Sequence, residues 1–165
     1  WTWEHQALAR ARGVAGDPAL IARFEQIRRE ALSAPREPQS LRGEVREMRQ
    51  RMRRELSRGS EDKFDLKQDP GGIADIEFMV QYAVLAWAHA HPFLLDFTDT
   101  IRLLERLAEA SLMPAQDARL LADAYRAFRA QVHRLALQEK PALVDNAMFA
   151  ELRAQVVRIW RAWMN

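Results

Sequence analysis

Phe64-Asp65-Leu66-Lys67-Gln68-Asp69-Pro70-Gly71-Gly72-Ile73-Ala74-Asp75-Ile76-Glu77-Phe78 runs from a charged turn hinged on two glycines directly into an apolar helix. Beyond Gly72, only Asp75, Glu77, Gln81 and the hydroxyl of Tyr82 interrupt the apolar residues up to Trp87. At least one of these carboxylates must therefore lie against packed side chains. A carboxylate in such a place is paired, protonated or bound to a ligand.

Helical periodicity extends outward from this stretch in both directions. Upstream, a first helix is expected over Thr2 to Arg12, stopping near Gly13. Asp17-Pro18 offers an N-cap followed by proline at the first helical position, and Leu20, Phe24, Ile27 and Ala31 form one stripe of a second helix that stops before Pro35. Ser40 is the expected cap of a third helix, in which Leu41, Val45, Met48, Met52 and Leu56 make the apolar side. Gly59-Ser60 breaks it. Residues Lys63 to Lys67 alternate apolar with charged side chains, which allows one very short extended segment before the Asp69-Pro70-Gly71-Gly72 turn.

Downstream, the fourth helix runs to about Ala90 and ends at His91-Pro92. Thr98 is the expected cap of a fifth, with Ile101, Leu104, Leu107 and Ala108 inward. Pro114 starts a long helix carrying Leu121, Tyr125, Phe128, Val132 and Leu135, closed by Lys140-Pro141. A last helix from about Asn146 places Phe149, Leu152, Val156, Ile159, Trp160 and Trp163 on one face. The expectation is an all-α single domain over residues 1–165, an irregular bundle of about seven helices.

Composition bounds the function classes. The chain has 165 residues, 48% hydrophobic, with no cysteine, which suits one core and leaves out disulfides and thiolate metal sites. No apolar run reaches the roughly 20 residues of a membrane span and no secretory signal opens the chain, so a cytoplasmic protein is expected. A formal charge of +2 gives no strong field. The chain opens apolar and aromatic at Trp1-Thr2-Trp3-Glu4 without an initiator methionine, which suggests a fragment of something longer.

Several residues could carry chemistry. Arg42, Arg46, Arg49, Arg51, Arg53, Arg54 and Arg58 make the third helix locally basic, offset only by Glu44, Glu47 and Glu55. Such a helix either meets phosphate, nucleic acid or an acidic partner, or is a solvated face with internal ion pairs. At the start of helix four, free amides and the dipole could attract an anion, with Gly71-Gly72 permitting close approach. Equally, the glycines could be a plain turn and Asp75 a favourable first-turn acid. Asp75 and Glu77 lie about 200° apart around a helix and cannot share a metal, whereas Glu77 and Gln81 share a face. Glu77 could pair with an arginine from a neighbouring helix or stand beside a ligand. Lys67, one of three lysines, could be an ordinary surface residue or a point charge for phosphate. His5, His89, His91 and His133 lack HExxH spacing, and no GxSxG, P-loop, GxGxxG or Asp-x-Asp pattern occurs. No metal site is expected.

The motif Phe64-Asp65-x-Lys67 with Gly71-Gly72-Ile73-x-Asp75-Ile76-Glu77-Phe78-x-x-Gln81 resembles the helical domain of the bacterial glutamine synthetase adenylyltransferase/adenylyl-removing enzymes. Trp3-Glu4-His5-Gln6-Ala7-Leu8 with Arg10-Ala11-Arg12, Val45-Arg46-Glu47-Met48-Arg49, Leu135-Ala136-Leu137-Gln138-Glu139 and the tryptophan-rich end look like the C-terminal, adenylylating half of that family, so nearly the whole chain is covered. The resemblance implies a parent with two nucleotidyltransferase units, each followed by a helical domain. One unit moves AMP from ATP, with Mg2+, to a tyrosine of glutamine synthetase; the other removes it by phosphorolysis. The PII signalling protein and glutamine report nitrogen status to it.

The catalytic Asp-x-Asp of that family belongs to a domain preceding Trp1, so the fragment is expected to have no catalytic residue of its own and to bind no ATP or magnesium alone. By resemblance, Lys67, Gly71, Gly72 and Asp75 face the missing catalytic domain, with Arg10 and Arg12 beside them. Asp65, Glu77 and Gln81 support the motif, Glu77 as the inward group that fixes the turn. The spacer Gln68-Asp69-Pro70 is more acidic and stiffer than the family's glycine-containing versions. The implied role is to complete the nucleotidyltransferase cleft and position nucleotide or protein substrate. The alternative is a non-enzymatic helical module that binds nucleic acid or an acidic partner through its basic helix.

Overall fold

Every residue between Ile73 and Trp87 except Glu77 and Trp87 itself is buried, because a helix apolar on all sides is stable only when surrounded. The computed structural model describes residues 1–165 and builds the rest of the chain around this helix. In order, the elements are α1 (Thr2–Arg10), α2 (Pro18–Leu32), α3 (Pro38–Leu56), β1 (Lys63–Asp65), α4 (Ile73–Trp87), a 3-10 turn (Pro92–Leu95), α5 (Thr100–Glu109), α6 (Ala115–Ala136), β2 (Leu143–Asp145) and α7 (Ala150–Met164). Helices α1, α3, α5, α6 and α7 all pack on α4. One contiguous apolar core runs from Ala9 to Met164. The architecture is the expected irregular seven-helix bundle.

β1 pairs antiparallel with β2 in the register Lys63↔Asp145, Phe64↔Val144, Asp65↔Leu143. The short extended segment before α4 was legible from its alternation, but its partner was not. Three residues flanked by Lys140-Pro141 and Asn146 carry too little pattern to declare a strand.

Some local expectations are corrected. α3 is capped by Glu37, not Ser40: the Glu37 carboxylate accepts from the Gln39 amide at 3.0 Å and the Ser40 amide at 2.6 Å, with Pro38 at the first position. α5 is capped by Asp99, not Thr98, through the Arg102 amide at 3.0 Å. In each case the side chain that reaches the free amides two or three residues on decides the start. α1 stops at Arg10 because Ala11 is already extended, and α4 stops at Trp87 rather than Ala90. In α2 the anticipated stripe faces outward at Leu20 and Ile27, 72% and 48% exposed. The buried positions are Leu32 and Arg28, whose guanidinium donates to the carbonyls of Leu8, Ala9 and Leu95 and thereby fastens α1 and the 3-10 turn to α2.

Candidate functional site: the polar corner at the start of α4

Three aspartates build the corner. Asp65, at the end of β1, accepts from the amides of Lys67 (2.9 Å), Gln68 (3.1 Å) and Arg58 (3.2 Å). Asp69 accepts from the Asp65 amide at 2.7 Å and the Ser57 hydroxyl at 2.5 Å. Asp75, in the first turn of α4, accepts from the Gly71 amide at 2.7 Å and from Arg49 Nε at 2.7 Å. Arg49 Nη2 in turn donates to the Gln68 carbonyl at 2.7 Å. The loop from α3 to α4 is thus held by carboxylates that bond backbone amides, an arrangement that fixes a turn without regular structure.

The glycines are there for the protein's own backbone. Gly71 has φ +82, and a Cβ on it would stand 2.5 Å from the Arg153 carbonyl oxygen of α7; a Cβ on Gly72 would stand 2.7 Å from the Leu66 carbonyl oxygen. The amides at the head of α4 are also consumed internally. Gly72 donates to Asp69, Ile73 to Leu66 and Ala74 to Lys67, at 2.9, 2.9 and 3.1 Å. Of the two roles open for Gly71-Gly72, the geometry favours the packed turn with Asp75 as first-turn acid, since the amides of Gly71 to Ala74 are already bonded within the chain.

Asp75 is buried, and that burial pushes its carboxyl above the ordinary value, against the opposing pull of Arg49 and of the Gly71 amide. The pair sits over Phe78, whose ring centroid lies 5.9 Å from the Arg49 guanidinium carbon. Arg49 belongs in the apolar stripe of α3, four residues after Val45 and three before Met52. That offset was the available signal that this arginine points inward.

Glu77 does not touch the turn. It lies on the other side of α4, where its Oε1 meets Arg10 Nη1 at 2.5 Å and accepts from the Tyr125 hydroxyl at 2.9 Å. Gln81 accepts from Gln6 Nε2 at 3.1 Å on the same side. The structure therefore brings together Asp65, Gly71, Gly72 and Asp75, places exposed Lys67 at their rim, and separates Arg10, Glu77 and Gln81 into a second polar cluster that ties α1 and α6 to α4. Arg12 is exposed beyond the end of α1. The residue that fixes the turn is Asp75, not Glu77.

Lys67 opens onto a cleft of about 400 Å3, which it lines with Arg58 and Lys140 as three cations around the single carboxylate of Asp65. Arg58, just past α3, is held there by its amide bond to Asp65, whereas Lys140 comes from the approach to β2 and reaches Lys67 through the β1–β2 pairing. No group of three or more histidine, aspartate or glutamate side chains is arranged to hold a metal ion. No helix is long and apolar enough to cross a membrane.

The sequence model of the GlnD PII-uridylyltransferase family matches residues 39–159, from α3 through the corner to α7. The chain belongs to this family. Within the GlnD PII-uridylyltransferase family it is similar to proteins described as bifunctional glutamine synthetase adenylyltransferase/adenylyl-removing enzymes. It is 56% identical to that of Thioalkalivibrio sulfidiphilus over 99% of this chain and 17% of the relative. With the relative from Nitrosococcus oceani the identity is 56% over 98% of this chain and 17% of the relative, and with that from Pseudomonas aeruginosa 52% over 98% and 18%. These relatives carry the name that the motif at residues 64–81 led us to expect. The chain spans about a sixth of their length.

Proposed function

We propose that this helical domain is an accessory unit of a bifunctional adenylyltransferase/adenylyl-removing enzyme, the activity named for its relatives. It packs on a nucleotidyltransferase domain elsewhere in the longer chain, completes that domain's cleft and helps to position the nucleotide or the glutamine synthetase substrate. The parent reaction moves AMP from ATP to a tyrosine of glutamine synthetase in the cytoplasm under the influence of the PII signalling protein. In this reading the residues that hold magnesium belong to the nucleotidyltransferase domain, and this chain contributes positioning cations at the rim of its cleft.

The reading rests on one observation above all: Lys67, Arg58 and Lys140 stand around an open cleft on a corner held rigid by Asp65, Asp69 and Asp75. A lysine on a fixed backbone is a point charge suited to phosphate oxygens, and such cations favour a transition state in which negative charge grows on the departing pyrophosphate. A nucleic-acid role for α3 is weakened because Arg49 is turned inward, held by Asp75 and the Gln68 carbonyl.

The test joins this domain to the remaining segments of the longer enzyme and measures AMP transfer to glutamine synthetase. Lys67→Ala should reduce turnover by about tenfold, the loss of one charge-assisted contact, with helical content unchanged. Full activity in that variant, or appreciable AMP transfer by the 165-residue chain alone, overturns the proposal.

A further inference from the structure

A second basic cleft, with Pro70 in its wall, lies between α3 and α7 and has no part in the function proposed above. Its volume is about 260 Å3, and Arg46, Arg49, Arg53 and Arg161 line it together with Trp160. Against these four guanidinium groups the one acidic side chain in the lining is Asp75, already bonded at both carboxylate oxygens. Four like charges in one cleft repel each other unless an anion joins them.

A second observation points the same way. Arg49 is 3% exposed and spends Nε on Asp75 and Nη2 on the Gln68 carbonyl, yet its Nη1 is buried without a hydrogen-bond partner. A buried donor left unmade is costly, so native interiors fill such positions with a protein, water or ligand acceptor. Arg46 reaches only the Met164 carbonyl, at a long 3.4 Å, and neither Arg53 nor Arg161 forms an ion pair, so their donors are free to converge on a shared acceptor.

We propose that this cleft is a binding site for a small phosphate-bearing anion. Arg46, Arg53 and Arg161 supply planar donor forks that match phosphate oxygens, and Arg49 lines the cleft with its Nη1 unpartnered just beneath the surface. Trp160 offers an apolar wall against which the rest of the ligand can lie. Because Arg49 also holds Asp75 and the Gln68 carbonyl, occupancy reaches the corner that starts α4.

The test titrates the chain with inorganic phosphate at constant ionic strength, chloride replacing phosphate, while NMR follows the Arg49 Nε–H and Trp160 Nε1–H signals. Saturable shifts of both signals are expected. Arg161→Gln and Arg53→Gln should each weaken the affinity by about tenfold, as one charge-assisted contact is lost, while Arg126→Gln, on the distant α6 surface, should bind as the unaltered chain does. Repeating the titration with ATP identifies the source of the phosphate: tighter binding than inorganic phosphate assigns it to a nucleotide lying on Trp160, and equal binding to the free ion. Shifts that chloride reproduces, or undiminished affinity in both Arg53→Gln and Arg161→Gln, overturn the proposal. Neither substitution touches Lys67 or its cleft, so this result stands or falls apart from the AMP-transfer assay.

Discussion

Arg49 Nε and Asp75 Oδ1 meet at 2.7 Å with both side chains sealed from water, and through them the middle of α3 is fastened to the first turn of α4. Removing one partner strands the other charge in the interior. Asp75→Ala should therefore cost about 3–5 kcal/mol in urea unfolding. Arg49→Met combined with Asp75→Leu should cost less than the sum of the single changes, because no lone charge is left behind. A loss below about 1 kcal/mol in Asp75→Ala would show that the pair does not secure the corner.

The two kinds of glycine in this chain should respond in opposite senses. At Gly71 a methyl group would meet the Arg153 carbonyl oxygen at 2.5 Å on a backbone of φ +82, so Gly71→Ala should destabilise by at least 1–2 kcal/mol, roughly the left-handed penalty alone. Gly43 lies inside α3 with nothing within 4 Å of the added methyl, and Gly43→Ala should stabilise by about 0.5–1 kcal/mol. Thermal unfolding of the two variants beside the unaltered chain checks both signs.

Acid should loosen the start of α3. The Gln39 and Ser40 amides hold the exposed Glu37 carboxylate below its ordinary range. A carboxylate whose value is depressed in the folded state contributes stability that is present above its unfolded value, near 4.5, and is lost as pH falls through the folded one. Glu37→Gln should accordingly lower the melting temperature at pH 7 and show a shallower loss than the unaltered chain below pH 4.5. Parallel acid limbs for the two proteins would rule out this cap.

Position, not hydrophobicity, should govern α2. Leu32 is fully buried and Leu20 is 72% exposed, so Leu32→Ala should cost about 2–5 kcal/mol while Leu20→Ala stays within about 0.5 kcal/mol. Equal losses in denaturant melts would mean that α2 packs by its Leu20 stripe after all.

Seven helices could be read from the sequence because most carry a one-sided apolar pattern bounded by proline, glycine or a polar cap. Leu104 and Leu107 of α5 illustrate this, as does the Asp17 cap of α2. Pattern failed where a polar residue does an apolar residue's work. Arg28 and Arg49 are among the most buried side chains, but charge patterning assigns arginines to the wet face. The motif at residues 64–81 located the polar corner, yet grouped Arg10 and Glu77 with Asp75. Only the packing of α1 and α6 on the far side of α4 separates them. Lys140 escaped notice for a related reason: pairing across a large sequence distance has no local signature.

The two-stranded ribbon dictates an order of events. Lys63 and Asp145 are 82 positions apart, and their salt bridge closes the ribbon that anchors Asp65. During synthesis α1 to α4 emerge long before Leu143 does, so the ribbon behind the turn and the bond from the Leu66 amide to the Ala142 carbonyl must wait for β2. Loop closure over that distance is slow compared with helix formation, which makes docking of the C-terminal segment the step that converts a collapsed bundle into one with a finished corner.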